Sequence, residues 1–365
     1  MEKQTSQRKS NIELLRLIAI FLVILSHFNV HGQFELTNMY QFNINWLLKS
    51  IFMTGNIANY IFIIITGYFL TKSKINYKRI IGLILDMLFY SYLIFAILCL
   101  FKVITPSPGN LIKAMFPMFY GNWFVIYYII LYLISPILNY ILNTISKENL
   151  KKILFLITTL VFVIPTFTNA LDFTSHDTFI VCYFIGGYIS LYYDKKIDVK
   201  KIKKIIFFDI ILLILGVILI YIIGLVLKNN TLIFNCFHFV GINKSVFNLV
   251  LAVCIFLLCK NKNIKYNKVI NTWGGSVLGI YLIHDNDFLR NFLWNNVVPN
   301  NMFFDEWYFF LFAIAKVLIV FMVCLVMDRI RLLLFKNLCN YLADNIYAIL
   351  IKIYNKFKIK ILKRS

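Results

Sequence analysis

Ten apolar stretches, each closed off by polar or charged residues, run through this 365-residue chain, at 12–30, 50–70, 80–101, 119–142, 152–169, 178–193, 204–227, 245–259, 272–289 and 307–333. Most reach the ~20 residues that a helix rising 1.5 Å per residue needs to cross ~30 Å of hydrocarbon. The stretches at 178–193 and 245–259 are shorter. No period-two alternation runs through them, which argues against a barrel. Composition agrees, with 61% hydrophobic and only 15% charged residues, against about 45–50% and about 25% in soluble proteins. So little charge cannot cover a water-facing surface, which excludes a cytosolic enzyme, a disordered chain and a nucleic-acid-binding module. The predicted fold is all-α, a polytopic membrane bundle of about ten transmembrane helices.

The net charge of +21 is explained by where the cations lie. With the N-terminus inside, 29 of the 37 Lys and Arg residues fall in inner segments and six in outer ones; Arg16 and Lys316 lie within spans. That bias obeys the positive-inside rule and puts both termini in the cytoplasm. The first stretch contains Arg16 and His27 and lacks an A-x-A site, so it reads as a retained helix, not a cleaved signal. Residues 1–333 form the ten-helix domain. Residues 334–365 read as a basic amphipathic tail on the inner leaflet, with Lys352, Lys356 and Lys360 beside a stripe of Ile349, Ile353 and Phe357.

The first helix carries the strongest chemical signal. Arg16 and His27 are eleven residues apart, three turns plus about 20°, so they share one face about 16 Å apart along the axis. Glu13 and His31 extend the stripe. A polar stripe facing lipid is costly, so it should face the bundle interior or a watery path. The bland readings are an Arg16 that snorkels to headgroups and a His27 that serves as an interhelical hydrogen bonder. His284, behind Tyr281 in Gly279-Ile-Tyr-Leu-Ile-His284, emerges at a similar outer depth. Two imidazoles converging there can deprotonate a hydroxyl; an ordinary interfacial histidine is the alternative. Asp86 lies at the depth of Arg16 and is a candidate partner for it. Lys316 and Asp209 are further intramembrane charges that need partners, while His176 and His238 fall in outer loops and carry no assigned role.

Lys78 and Arg79 end an inner segment that begins Thr71-Lys-Ser-Lys. Such a cation group can hold the phosphates of a nucleotide-type donor, or simply express the positive-inside rule. No P-loop, G-x-S-x-G, H-E-x-x-H or Rossmann pattern is present, which disfavours an ATP-driven pump, a classical hydrolase, a zincin and a dehydrogenase. The seven cysteines form no CxxC pair and read as small hydrophobes.

The run Asn11-Ile-Glu-Leu-Leu-Arg16 through Ser26-His27-Phe28 resembles the first-helix signature of the membrane acyltransferase-3 family. So do the stretch Phe62 to Thr66-Gly-Tyr-Phe-Leu70, with Thr66 where Ser is usual, the run Gly121-Asn-Trp-Phe124 with Tyr132-Leu-Ile-Ser-Pro136, and Gly279 to His284. The resemblance covers about residues 8–333. It implies a ten-helix bacterial enzyme of the cell membrane that moves an acyl group, usually acetyl, from cytosolic acyl-CoA to a hydroxyl of a cell-surface polysaccharide or its lipid-linked precursor. Arg16 and His27 would be the essential pair, with His284 assisting. Lys78 and Arg79 would join Arg16 near the coenzyme A donor, with Glu13, Asp86 and Tyr281 in support. Thioester-to-ester transfer requires no metal, and none is expected; nor is nucleic acid. The competing class is a glycan exporter or flippase whose polar stripe lines a conduit.

Overall fold

The computed structural model describes residues 8–168, 177–193 and 197–362, the side chains of the last stretch as far as Lys356. Among the described residues there are helices and no strands. Each apolar stretch contains helix. In chain order these are α1 (Ser10–Val30), α2 (Gly55–Leu70), α3 (Tyr77–Leu100), α4 (Trp123–Thr144), α5 (Lys147–Thr158), α6 (Asp177–Tyr192), α7 (Val199–Val226), α8 (Val246–Asn261), α9 (Lys268–Gly274), α10 (Val277–His284) and α11 (Phe309–Leu362). α5 continues through a π turn at Thr159–Val163 into Ile164–Phe167.

Seven helical segments of the described chain are long and apolar enough to cross a membrane: α1, α2 with the short helix before it, α3, α4, α5 with its extension, α7 and α11. The protein is an all-α, multi-pass membrane protein. α6 and α8 have 16 residues each, about 24 Å. α6 is enclosed by α2, α4 and α5, so neighbouring protein covers much of what lipid would otherwise face. The ninth predicted span is broken. Gly275 and Ser276 interrupt it, and α10 stops at His284 instead of running on to 289.

α1 is the most enclosed long helix. Leu15, Ala19, Ile24 and Phe28 are fully buried, while Ile18 and Val30 reach the surface. It packs against α2, α8, α9, α10 and α11. Its start is tied down by the loop after α8. Asn11 Nδ2 donates to the carbonyl of Cys259 at 3.0 Å, and Ser10 Oγ accepts from the amide of Asn267 at 2.8 Å. Asn267 then caps α9, accepting from the amide of Ile270. This fixes the height of α9 and α10 against α1.

α2 and α6 cross at glycines. A Cβ on Gly67 would lie 2.2 Å from the Tyr183 carbonyl oxygen, and one on Gly186 2.3 Å from that of Ile64. Small residues let backbones approach this closely inside membranes. Thr66 donates to the Phe62 carbonyl of its own helix at 2.8 Å, a bond a serine would make equally well.

The C-terminal region departs from the sequence expectation of a separate element after 333. α11 is continuous for 54 residues, about 81 Å at the α-helical rise. Beyond the apolar span it keeps packing on α3: Phe335 lies against Phe89 with ring centroids 5.2 Å apart, and Asp344 pairs with Lys78. No helix-breaking residue separates the parts, since 334–362 holds neither Gly nor Pro. The Phe357 and Lys360 side chains lie outside the described residues.

Candidate active site

α1 and α10 bring two histidines together at their C-terminal ends. His27 Nδ1 stands 3.1 Å from His284 Nε2, and the other ring nitrogen of His284, Nδ1, is 2.6 Å from the Ile280 carbonyl oxygen. A carbonyl only accepts, so His284 Nδ1 carries a proton, and in neutral His284 Nε2 is bare. The contact with His27 then requires a proton on His27 Nδ1. In neutral His27 that leaves Nε2 unprotonated and free to act as a base. His284 thus sets the tautomer of His27, as a triad's third member does for its histidine. Tyr281 holds the His284 ring edge-on, with centroids 6.2 Å apart, and itself packs on Phe124.

The loop after α10 adds charge that the sequence reading did not assign. Asp285, buried, points Oδ1 at His27 Nδ1 (3.6 Å), His31 Nε2 (3.4 Å) and Arg290 Nη1 (3.4 Å). At 3.6 Å Asp285 does not hydrogen-bond His27, but its charge is in place when the imidazole takes up a proton. Arg290 also reaches Asp287 at 3.2 Å. Gly121 and Asn122 back this loop. Asn122 enters α4 in the left-handed region (φ 56°), which asparagine tolerates better than most residues. A Cβ on Gly121 would already touch Asp287 at 3.4 Å. The signal for this cluster was the run His284-Asp-Asn-Asp-Phe-Leu-Arg290, with its three charges on a helix end that also carries the histidine.

At the inner end Arg16 binds Glu13 at 3.1 Å, and Arg8 approaches the same carboxylate at 3.7 Å. Glu13 is buried because α9 presents Gly274 to it; a Cβ there would lie 2.4 Å from Glu13 Oε2. Glu13 at one end of the α1 stripe therefore packs on α9, and His27 at the other on α10. Asp86 does not pair with Arg16. It binds Arg331 of α11 at 2.5 Å, and Arg331 also holds Asp328 at 2.8 Å. The depth match was sound, but α3 packs on α11, an adjacency no single sequence reveals. Tyr90 donates to Asp328 at 2.6 Å, and Gly279 makes room for that carboxylate.

Lys78 is held by Asp344, whereas Arg79 is exposed and, among the described residues, unpaired. Lys316 donates to the Pro299 carbonyl and lies over the Phe312 ring at 4.0 Å. Asp209 is buried, with one carboxylate oxygen lacking a hydrogen-bond partner among the described residues. His238 is half-buried beside Phe239, and His176 lies outside the described residues. All seven cysteines are free thiols.

The family model described as "Acyltransferase domain", Acyl_transf_3, matches residues 9–329. The chain belongs to the acyltransferase-3 family. No curated protein and no solved structure matches it. This membership makes the protein an acyltransferase of the membrane, and the matched region contains the whole His27–His284–Asp285 cluster together with Arg16. The acyltransferase also has a cavity of about 350 Å³ between α2, α4 and α6, lined by Asn56, Asn59, Tyr60, Trp123, Tyr127 and Phe179 among others. Phe179 is linked to the histidines through Phe124 and Tyr281 by ring contacts of 5.5, 6.1 and 6.2 Å.

Proposed function

We propose that this acyltransferase moves an acyl group, acetyl in the simplest case, from cytosolic acyl-CoA to a hydroxyl of an extracytoplasmic cell-surface glycan, in the plasma membrane of a bacterium. The observation that carries the reading is the His284-imposed tautomer of His27, which leaves a base at the outer end of a helix whose inner end carries Arg16.

In this mechanism the donor phosphates meet Arg79, Lys78 and Arg16 on the inner side, and the pantetheine arm spans the ~16 Å of α1 between Arg16 and His27. His27 Nε2 takes the proton of the acceptor hydroxyl. The hydroxyl oxygen attacks the thioester carbonyl, forming a C–O bond; the C–S bond breaks and the departing thiolate takes the proton from His27. Asp285 stabilises the imidazolium between those events. The cavity of Trp123, Tyr127, Asn56, Asn59 and Asn243 suits the acceptor. Aromatic faces cover the apolar side of a sugar ring, amides bond its hydroxyls, and the volume lies within the about 300–1,000 Å³ of small-ligand sites.

Concentration of His27, His31, His284 and Asp285 at one depth favours transfer over export, since a conduit distributes polar groups along its length. The test is mass spectrometry of the host's surface glycans with and without the protein. An acyl increment lost with the gene supports the reading and gives the donor's acyl mass; identical glycan masses refute it.

A further inference from the structure

His27, in the last turn of α1, and His31, which caps that helix, are four residues apart, the spacing at which two helical imidazoles grip one metal ion. Asp285 faces both. His27, His31 and Asp285 each offer one ligand atom, and these atoms lie within 4.8 Å of one another. The Asp285 Oδ1 separations are 3.6 Å to His27 and 3.4 Å to His31, and His284 Nε2 adds a donor 3.1 Å from His27 Nδ1. A tetrahedral zinc ion with bonds of about 2.0–2.1 Å has ligand–ligand edges of roughly 3.3 Å, so each of these three separations is close to a tetrahedral edge already. His284 is oriented as metal-bound histidines usually are, with its other ring N–H on a backbone carbonyl. The side chains of His27 and His31 remain 18% and 19% exposed, which leaves a route in from the outer side.

We propose that His27, His31 and Asp285, with His284 as fourth donor, form a binding site for a divalent transition-metal ion of the zinc class, open to the outer face of the membrane. The opposing charge is Arg290, 3.4 Å from the same Asp285 oxygen. Its other nitrogen is engaged by Asp287, so it can turn toward Asp287 as the ion enters, and its positive charge weakens binding relative to a site without it. Binding has a consequence for catalysis, which rests on the function proposed above. The ion takes the lone pair at His27 Nδ1, the position that must carry a proton for His27 to present Nε2 as a base. Zinc from outside is therefore an inhibitor that replaces a proton.

The test uses the full chain in lipid nanodiscs, titrated with zinc chloride by calorimetry and with cobalt chloride by visible absorption. One zinc ion per chain is expected, with the intense cobalt bands of a tetrahedral site, removed by added zinc. His31→Ala and Asp285→Asn should each weaken zinc binding at least tenfold. Absence of saturable binding, weak octahedral-type cobalt bands in the unaltered protein, or an unchanged affinity in Asp285→Asn would overturn the site. Acyl transfer should be half-inhibited at the zinc dissociation constant and recover with chelator. Full binding without inhibition would leave the site standing and overturn both its inhibitory role and the assignment of His27 as base.

Discussion

Replacing Asp285 by Asn removes one negative charge from the histidine cluster while keeping the side chain's shape. Its Oδ1 lies 3.6 Å from His27 Nδ1. Two unit charges at that separation attract by about 5 kcal/mol at an effective dielectric of about 20. Halving this for the water that reaches the two partly exposed histidines leaves roughly 2–3 kcal/mol, on the order of a hundredfold in rate. The attraction exists only while His27 holds the acceptor's proton, so the loss belongs in kcat, with KM for acyl-CoA unchanged. The assay is acyl transfer from radiolabelled acyl-CoA by proteoliposomes carrying equal amounts of folded parent, Asp285→Asn and Asp287→Asn. The last removes a half-exposed carboxylate that touches Arg290 and no histidine, and its rate should stay within about threefold of the parent. An Asp285→Asn rate within threefold of the parent would refute the electrostatic role.

Two further substitutions test the scaffold. Gly186→Ala pushes a methyl against the Ile64 carbonyl, 2.3 Å from the new carbon, and should cost about 1–3 kcal/mol by overpacking, read as a lower thermal midpoint in detergent; an unaltered midpoint would mean that α2 and α6 do not cross there. Arg331→Met leaves Asp86 and Asp328 without their cation and should cost about 3–5 kcal/mol. Adding Asp86→Asn should recover part of that loss, whereas strictly additive effects would disprove the coupling.

The sequence revealed whatever depends on a helix read by itself. Apolar length located the ten stretches, and the polar stripe read from α1 includes Glu13 and His27, which face α9 and α10. His284 was legible as a partner because its helix ends where α1 does. Pairings between helices were not legible. Asp86 could be given a depth but not a neighbour, and Arg331 was counted as an inner-side topology charge although Asp86 and Asp328 bury it. Asp285 was overlooked for a related reason: a carboxylate just past a helix end looks solvated until the Gly121–Asn122 turn is seen to close over its loop. The tail is joined to the last span by unbroken helix. Its basic amphipathic pattern suggested a new element, yet nothing in 334–362 breaks the helix, and α11 runs straight through that boundary.

The most direct measurement on the central claim is acyl transfer by membranes containing His27→Ala beside the parent protein at matched expression. Loss of the imidazole should abolish transfer to the glycan while acyl-CoA still binds, because the inner-side cations are untouched. Parent-level acylation by the His27→Ala protein would contradict the assignment of His27 as the base.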